Sequence, residues 1–203
     1  MTNKHSVMGL RMYCTFISNH GSQPNKEVLE QLEFTTLSPS GCFDFYEANK
    51  QYEQVFIGSH NNCKVICNGD FAEEAFRKNF HNNPLTKLVN CEVGVIQWDE
   101  TCDVFGFCLF EDAILKRAVL STDGVMDSIF GTPIEEELSF HESEHYLEDM
   151  QVEKEDIIKY EGEEAWQTFV NAESIHFATD QLVKRFLGVP FTALEGFEVE
   201  KYR

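Results

Sequence analysis

Two kinds of hydrophobic pattern divide this chain, and their order limits what it can fold into. Strand-forming runs bounded by turn residues fill positions 7–121: 7–17, 43–46, 54–57, 63–67, 92–97, 104–110 and 114–121. Helical spacing then dominates 135–187. The best helix spans 174–187, where Ile175, Ala178, Leu182 and Phe186 make one stripe, and Gly188 with Pro190 just beyond marks its end. Residues 163–170 read as a separate, shorter helix, and 194–199 as a closing strand. Earlier, 26–34 and 71–80 have helical character, with Asp70 as the expected N-cap of the second, and 38–41 reads as a turn. Strands first and helices after predict an α+β fold: a mixed, largely antiparallel sheet with helices packed on it, concentrated in the C-terminal half. No repeat or linker interrupts the chain, so 8–203 reads as a single domain and 1–7 as an N-terminal extension.

The clearest local unit is the pair 104–110 and 114–121, a hairpin around Glu111-Asp112-Ala113. Gly106 inside its first strand predicts a bulge or a close approach by a neighbour. Phenylalanine, at 18 of 203 residues, predicts an aromatic-rich core.

Charge excludes some partners. The net charge is −19, which repels nucleic-acid phosphates and anionic membrane surfaces, so neither is expected as a partner. The excess is uneven. Residues 1–100 carry 8 basic and 12 acidic side chains, whereas residues 101–203 carry 8 and 23. Within 135–164 there are 13 acidic side chains against Lys154 and Lys159. Such a stretch reads first as a solvated face, and second as a docking surface for a basic protein, with Glu135, Glu136, Glu137, Glu148 and Asp149 as its candidate contacts.

Seven cysteines at irregular spacing, several inside apolar runs, read as free thiols of a reducing compartment. With no secretory pattern at the start and no run of about 18 apolar residues, the expected location is the cytoplasm. Cys63 and Cys67 are four apart in one strand and should point the same way. A nucleophile–base pair of Cys67 and His81 has nothing in the sequence to bring it together.

One pattern could carry chemistry. His141-Glu142-Ser143-Glu144-His145 matches H-E-x-x-H, in which two histidines on one helical face bind zinc and the glutamate acts as general base. Here the metal candidates are His141 and His145, and the catalytic candidate is Glu142. The context argues otherwise. Zinc helices of this kind are buried, yet the inner positions are Ser143 and Glu144 and the flanks are acidic. Glu164, Glu173 and His176 qualify as a third ligand by residue type alone. No phosphate loop, dinucleotide fingerprint or nucleophile elbow is present. No cofactor is expected, zinc being the alternative.

Several blocks resemble an uncharacterised bacterial domain family. They are Met8-Gly9-Leu10-Arg11-Met12-Tyr13; Val55-Phe56-Ile57-Gly58; Phe105-Gly106-Phe107; Leu115 through Ser121 with Asp123-Gly124; and Gly131-Thr132-Pro133-Ile134. The span from Phe177 to Gly188 and Gly196-Phe197 complete the set. The resemblance implies a bacterial intracellular domain, with no reaction attached to it.

The expected function is therefore that of a non-catalytic interaction or immunity-type protein with an acidic C-terminal surface. A metal-dependent hydrolase using the His141–His145 segment is one alternative. A small-molecule-binding domain, with a Phe-lined pocket under the sheet near Cys108 or Trp98, is the other. The zinc question has a direct measurement. Untagged protein and its His145→Ala variant should carry equal and negligible zinc by elemental analysis, and stoichiometric zinc lost in the variant would establish the hydrolase.

Overall fold

The computed structural model describes residues 11–34, 37–77, 83–142 and 154–203. Nine strands among them form one sheet: β1 (Arg11–Ser18), β2 (Pro39–Asp44), β3 (Val55–His60), β4 (Cys63–Cys67), β5 (Glu92–Asp99), β6 (Val104–Glu111), β7 (Ile114–Thr122), β8 (Val125–Phe130) and β9 (Glu198–Tyr202). Their spatial order is β2-β9-β3-β4-β1-β5-β6-β7-β8. Every described pairing is antiparallel. The helices are α1 (Asn25–Gln31), α2 (Phe45–Asn49), α3 (Gly69–Glu74), α4 (Glu135–Glu142), α5 (Lys154–Glu161) and α6 (Glu163–Leu187). This is the α+β architecture the pattern predicts, with its longest helix in the C-terminal half.

Both faces of the sheet are covered. In β1, Met12, Cys14 and Phe16 point to one side, and Tyr13 and Ile17 to the other. The first side meets α2 and the C-terminal half of α6 through Phe45, Ala48, Ile175, Ala178, Leu182, Val183 and Phe186. The second meets α1, α3 and a 310 turn at Pro84–Lys87 through Val28, Leu29, Phe71, Ala72 and Leu85. Central strands buried on both faces have no polar side to alternate with. That is why β4 and β5 read as near-continuous apolar runs. The aromatic core expected from composition is present: Phe16 stacks on Phe186, and Phe45 packs against Phe191 and Phe197.

Several local expectations are corrected. Residues 43–46 are not a strand throughout. Asp44 ends β2 and accepts a hydrogen bond from Tyr46 N at 2.9 Å, capping α2 and turning Phe45 into the core. The expected turn at 38–41 lies largely within β2. The cap of α3 is Asn68, whose Oδ1 accepts from Phe71 N at 2.7 Å, and Asp70 falls in the first turn. The hairpin turn has two residues, not three: Glu111 pairs with Ile114, and Asp112 and Ala113 take φ of 48° and 65°, a type I′ geometry. Gly106 marks close approach, since a Cβ there would lie 2.5 Å from Val119 O. The bulge falls at Leu109/Phe110 instead. The two C-terminal helices are one, α6, ended by Gly188 at φ 74°.

The acidic segment is attached to the sheet by two arginines. Arg117 of β7 is buried and donates from Nε and Nη2 to the two carboxylate oxygens of Glu137 in α4, at 2.9 and 2.5 Å. Its Nη1 donates to Gly131 O at 2.8 Å and Phe130 O at 3.3 Å. Glu137 Oε2 also accepts from Ile134 N at 3.0 Å, closing the first turn of α4. Arg185 of α6 then bridges Glu136 of α4, at 3.1 Å, and Glu92 of β5. Removing one partner of a buried ion pair leaves the other uncompensated, at a cost of about 3–5 kcal/mol. Glu137→Gln should therefore lower the unfolding free energy by about that amount in urea titrations. The double replacement Arg117→Met/Glu137→Leu should lose less than Glu137→Gln alone.

Candidate functional site

The H-E-x-x-H pattern falls at the edge of the described residues. His141 and Glu142 fall in the last turn of α4, with side chains outside the description, and His145 lies outside the described residues. Of the third-ligand candidates, Glu164 is exposed in the first turn of α6. His176 and Glu173 lie farther along it, Nδ1 and Oε2 3.6 Å apart. His176 packs edge-on to Trp98, with ring centroids 4.3 Å apart, and contacts Phe105 as well. It is thus part of an aromatic cluster between α6 and the sheet. Among the described residues no group of three or more His, Cys, Asp or Glu side chains is placed to hold a metal ion.

The cysteines divide by burial. Cys42 and Cys102 are exposed, and the other five are buried. Cys63 and Cys67 share one face, as their spacing requires. Cys67 sits opposite Cys14 of β1, with sulfurs 3.7 Å apart. Asn49 serves this pair from α2: its Oδ1 accepts from Tyr13 N at 3.1 Å and Cys14 Sγ at 3.2 Å, and its Nδ2 donates to Phe45 O at 3.0 Å. Burial raises the Cys14 and Cys108 thiols well above the ordinary range, and pushes Cys63 up to about 12 and Cys91 up to about 11. Protonated, enclosed thiols are poor nucleophiles. His81, the imagined base for Cys67, lies outside the described residues.

Cys108 and Trp98, the alternative residues for a pocket under the sheet, face opposite sides of it. Cys108 belongs to the α3 side and Trp98 to the α6 side, and both are buried in packed clusters. Two surface clefts have mainly polar linings. One of about 610 Å³ is lined by Gln51, Tyr52, Lys201 and Arg203, and one of about 580 Å³ by Glu135, Glu136, Lys184 and Arg185.

Two buried polar networks escaped the sequence reading. Asp99, almost fully buried at the end of β5, accepts from Tyr13 Oη at 2.8 Å and Thr101 N at 2.9 Å, with Arg11 Nε at 3.3 Å. Burial pulls its pKa up, but the hydrogen bonds from Thr101 and Tyr13 and the Arg11 charge outweigh that, so the carboxyl sits below its usual value. Lys64, in the middle of Cys63-Lys64-Val65-Ile66-Cys67, is also buried; its Nζ donates to Asn25 Oδ1 at 2.7 Å and Ser59 Oγ at 2.6 Å. Asn25 in turn donates to Glu200 Oε2 at 3.1 Å, which also accepts from Tyr202 Oη at 2.9 Å. Both networks are satisfied within the fold and stitch neighbouring strands to loops. A polar residue inside an apolar run was the available signal for Lys64.

What remains accessible lies in the C-terminal half. Glu135 is exposed on α4, as are Glu155, Asp156 and Glu161 on α5 and Glu163 and Glu164 at the start of α6. Glu136 and Glu137, expected on the same surface, instead turn toward Arg185 and Arg117; Glu137 is only 9% exposed. Glu148 and Asp149 lie outside the described residues. Several large apolar side chains of the same half are exposed: Val125, Ile129 and Phe130 on β8, Leu138 on α4 and Tyr160 on α5. Helix α6 comes close to the β7–β8 turn, where a Cβ on Gly124 would lie 3.3 Å from Thr168 Cγ2. Glu164 is one helical turn before Thr168.

No protein-family model matches this chain, and no curated protein or solved structure is detectably similar to it. The fold and the surface therefore carry the functional argument. Among the described residues no helix is long and apolar enough to cross a membrane.

The division of the thiols gives a solution test. In the folded protein two of the seven, Cys42 and Cys102, should react rapidly with a disulfide reagent such as DTNB, and the remaining five only on unfolding. Three or more fast thiols would contradict the burial described here.

Proposed function

We propose that this protein is a non-catalytic, intracellular bacterial interaction protein, of the immunity type in its logic, whose acidic C-terminal surface meets a basic partner protein. The observation that supports the reading is the approach of the start of α6, with exposed Glu163 and Glu164, to the β7–β8 turn, after which Val125 of β8 is exposed. Surface carboxylates alone are a solvated face; combined with exposed Ile129 and Phe130 they have the composition of an interface rim and centre. Charge of one sign steers an oppositely charged partner and raises its rate of encounter. The reducing location is supported by seven free cysteines, two of them exposed. The buried networks of Asp99 and Lys64 are spent on the fold, which leaves the surface as the part free to act.

The test is affinity capture from lysate of the source cell at low salt and again at about 0.5 M salt, where attraction beyond a few ångströms is screened. A basic protein should be retained in the first condition and lost in the second. The triple reversal Glu161→Lys/Glu163→Lys/Glu164→Lys should weaken capture at least tenfold while leaving the melting temperature unchanged. Recovery of no salt-sensitive partner would end this reading.

A further inference from the structure

Five of the seven thiols are buried, and two of those five meet. Cys14 and Cys67 are direct partners across β1 and β4, with sulfurs 3.7 Å apart. One step along the register, Tyr13 O accepts from Asn68 N at 3.2 Å. Hydrogen-bonded and non-hydrogen-bonded pairs alternate along an antiparallel ladder. Cys14 and Cys67 therefore form a non-hydrogen-bonded pair, in which Cα atoms lie about 4.5 Å apart. A disulfide spans Cα separations of about 4.4–6.8 Å. Joining these sulfurs thus needs side-chain rotation and no change of register.

The other buried thiols are placed differently. Cys63 shares the face of Cys67 but lies four residues away, about 13 Å along the strand, and its partner in β1 is Ser18. Cys91 and Cys108 belong to the opposite face of the sheet. Asn49 of α2 holds the facing pair: its Oδ1 accepts from Cys14 Sγ at 3.2 Å, and its Nδ2 donates to Cys67 Sγ at 3.5 Å. When the sulfurs join, Asn49 Oδ1 keeps its bond from Tyr13 N and Nδ2 its bond to Phe45 O. No polar group of Asn49 is stranded by the change.

We propose that Cys14 and Cys67 are a latent cross-strand disulfide, which a peroxide closes and a dithiol reductant reopens, and that the bond locks β1 to β4 at the centre of the sheet. In the spatial order β1 stands fifth of nine strands, between β4 and β5. Hydrogen peroxide transfers one oxygen to the first thiol, giving a sulfenic acid and one water. The second sulfur attacks the sulfenic sulfur, the S–S bond forms and a second water leaves. The two thiols lose two hydrogens and two electrons, and the peroxide takes them up. Cys14 and Cys67 are 0% and 2% exposed, so local opening of the sheet sets the rate. Hydrogen peroxide is little larger than water and enters openings too small for an aromatic disulfide reagent. The lock acts through the unfolded chain, because closing the loop from Cys14 to Cys67 removes freedom that unfolding would otherwise gain. It is independent of whether the acidic surface has a partner.

The test exposes the folded full chain to hydrogen peroxide, then denatures, alkylates and digests it. A Cys42→Ser/Cys102→Ser background removes the exposed thiols, and with them cross-linking between molecules. Peptide mapping should find Cys14 joined to Cys67, with Cys63, Cys91 and Cys108 alkylated. The melting temperature should rise by at least about 5 °C and return to its starting value with dithiothreitol. Cys14→Ala and Cys67→Ala, added singly, should each abolish the linked peptide and the rise. The map of the parent protein decides the pairing even where a single variant fails to fold. Both cysteines still alkylated after prolonged peroxide, either one joined to another thiol, or either one carried on to sulfonic acid would overturn the proposal. So would a linked peptide with an unchanged or lowered melting temperature, since the bond would then form without locking the fold.

Discussion

The pairing of Arg117 with Glu137 holds the C-terminal half of this protein to its sheet. One guanidinium touches three elements: β7, from which it comes, the end of β8 through Phe130 O and Gly131 O, and α4 through both oxygens of Glu137. The guanidinium and the Glu137 carboxylate are both buried, and removing either would leave the other's charge uncompensated. Gly131 permits the approach, since a Cβ there would meet Lys116 O at 1.9 Å. Arg185 repeats the arrangement one helix away by joining α6 to α4 and β5. The acidic stretch is thus anchored at its first turn by cations from the sheet and the last helix.

That anchoring changes what the charge excess means. A run of glutamates invites the reading of a wholly solvated face, and for Glu135 and the residues of α5 that holds. Glu136 and Glu137 belong to the interior bookkeeping of the fold instead, so an interface drawn through every glutamate of the run would be wrong by two contacts. The same two ion pairs position α4, with its exposed Glu135, near the end of β8. Structure and proposed function are coupled at this point: the arginine that fixes the edge strand also fixes the helix that supplies Leu138 and Glu135 beside it.

Much of the architecture was legible because strand and helix periods are local. β4, β5, the β6–β7 hairpin and the Gly188 stop follow from apolar runs and turn residues a few positions apart. Two of the misreadings share one cause, a single polar side chain deciding a boundary. Asp44 turned an aromatic strand-like run into a helix, and Asn68 displaced Asp70 as a cap. Residues 171–173, left between two expected helices, lie within α6, where Asn171 Oδ1 accepts from Gln167 Nε2 at 3.0 Å and its carbonyl from Ser174 Oγ at 2.8 Å. The candidate site was less legible, because who pairs with whom among 35 acidic and 16 basic side chains is a long-range matter.

The amino-acid sequence by itself determined the α+β class, the aromatic core, the strongly acidic C-terminal half and the identity of most strands, since period, volume and charge need no partner to be read. Only the tertiary structure decided the strand order, which of the described glutamates face water and which cysteines are reachable. Those properties depend on contacts between residues as distant as Arg117 and Glu137, or Glu92 and Arg185. Such contacts form only after the chain has closed on itself, and nothing in the local spacing of either partner encodes the other.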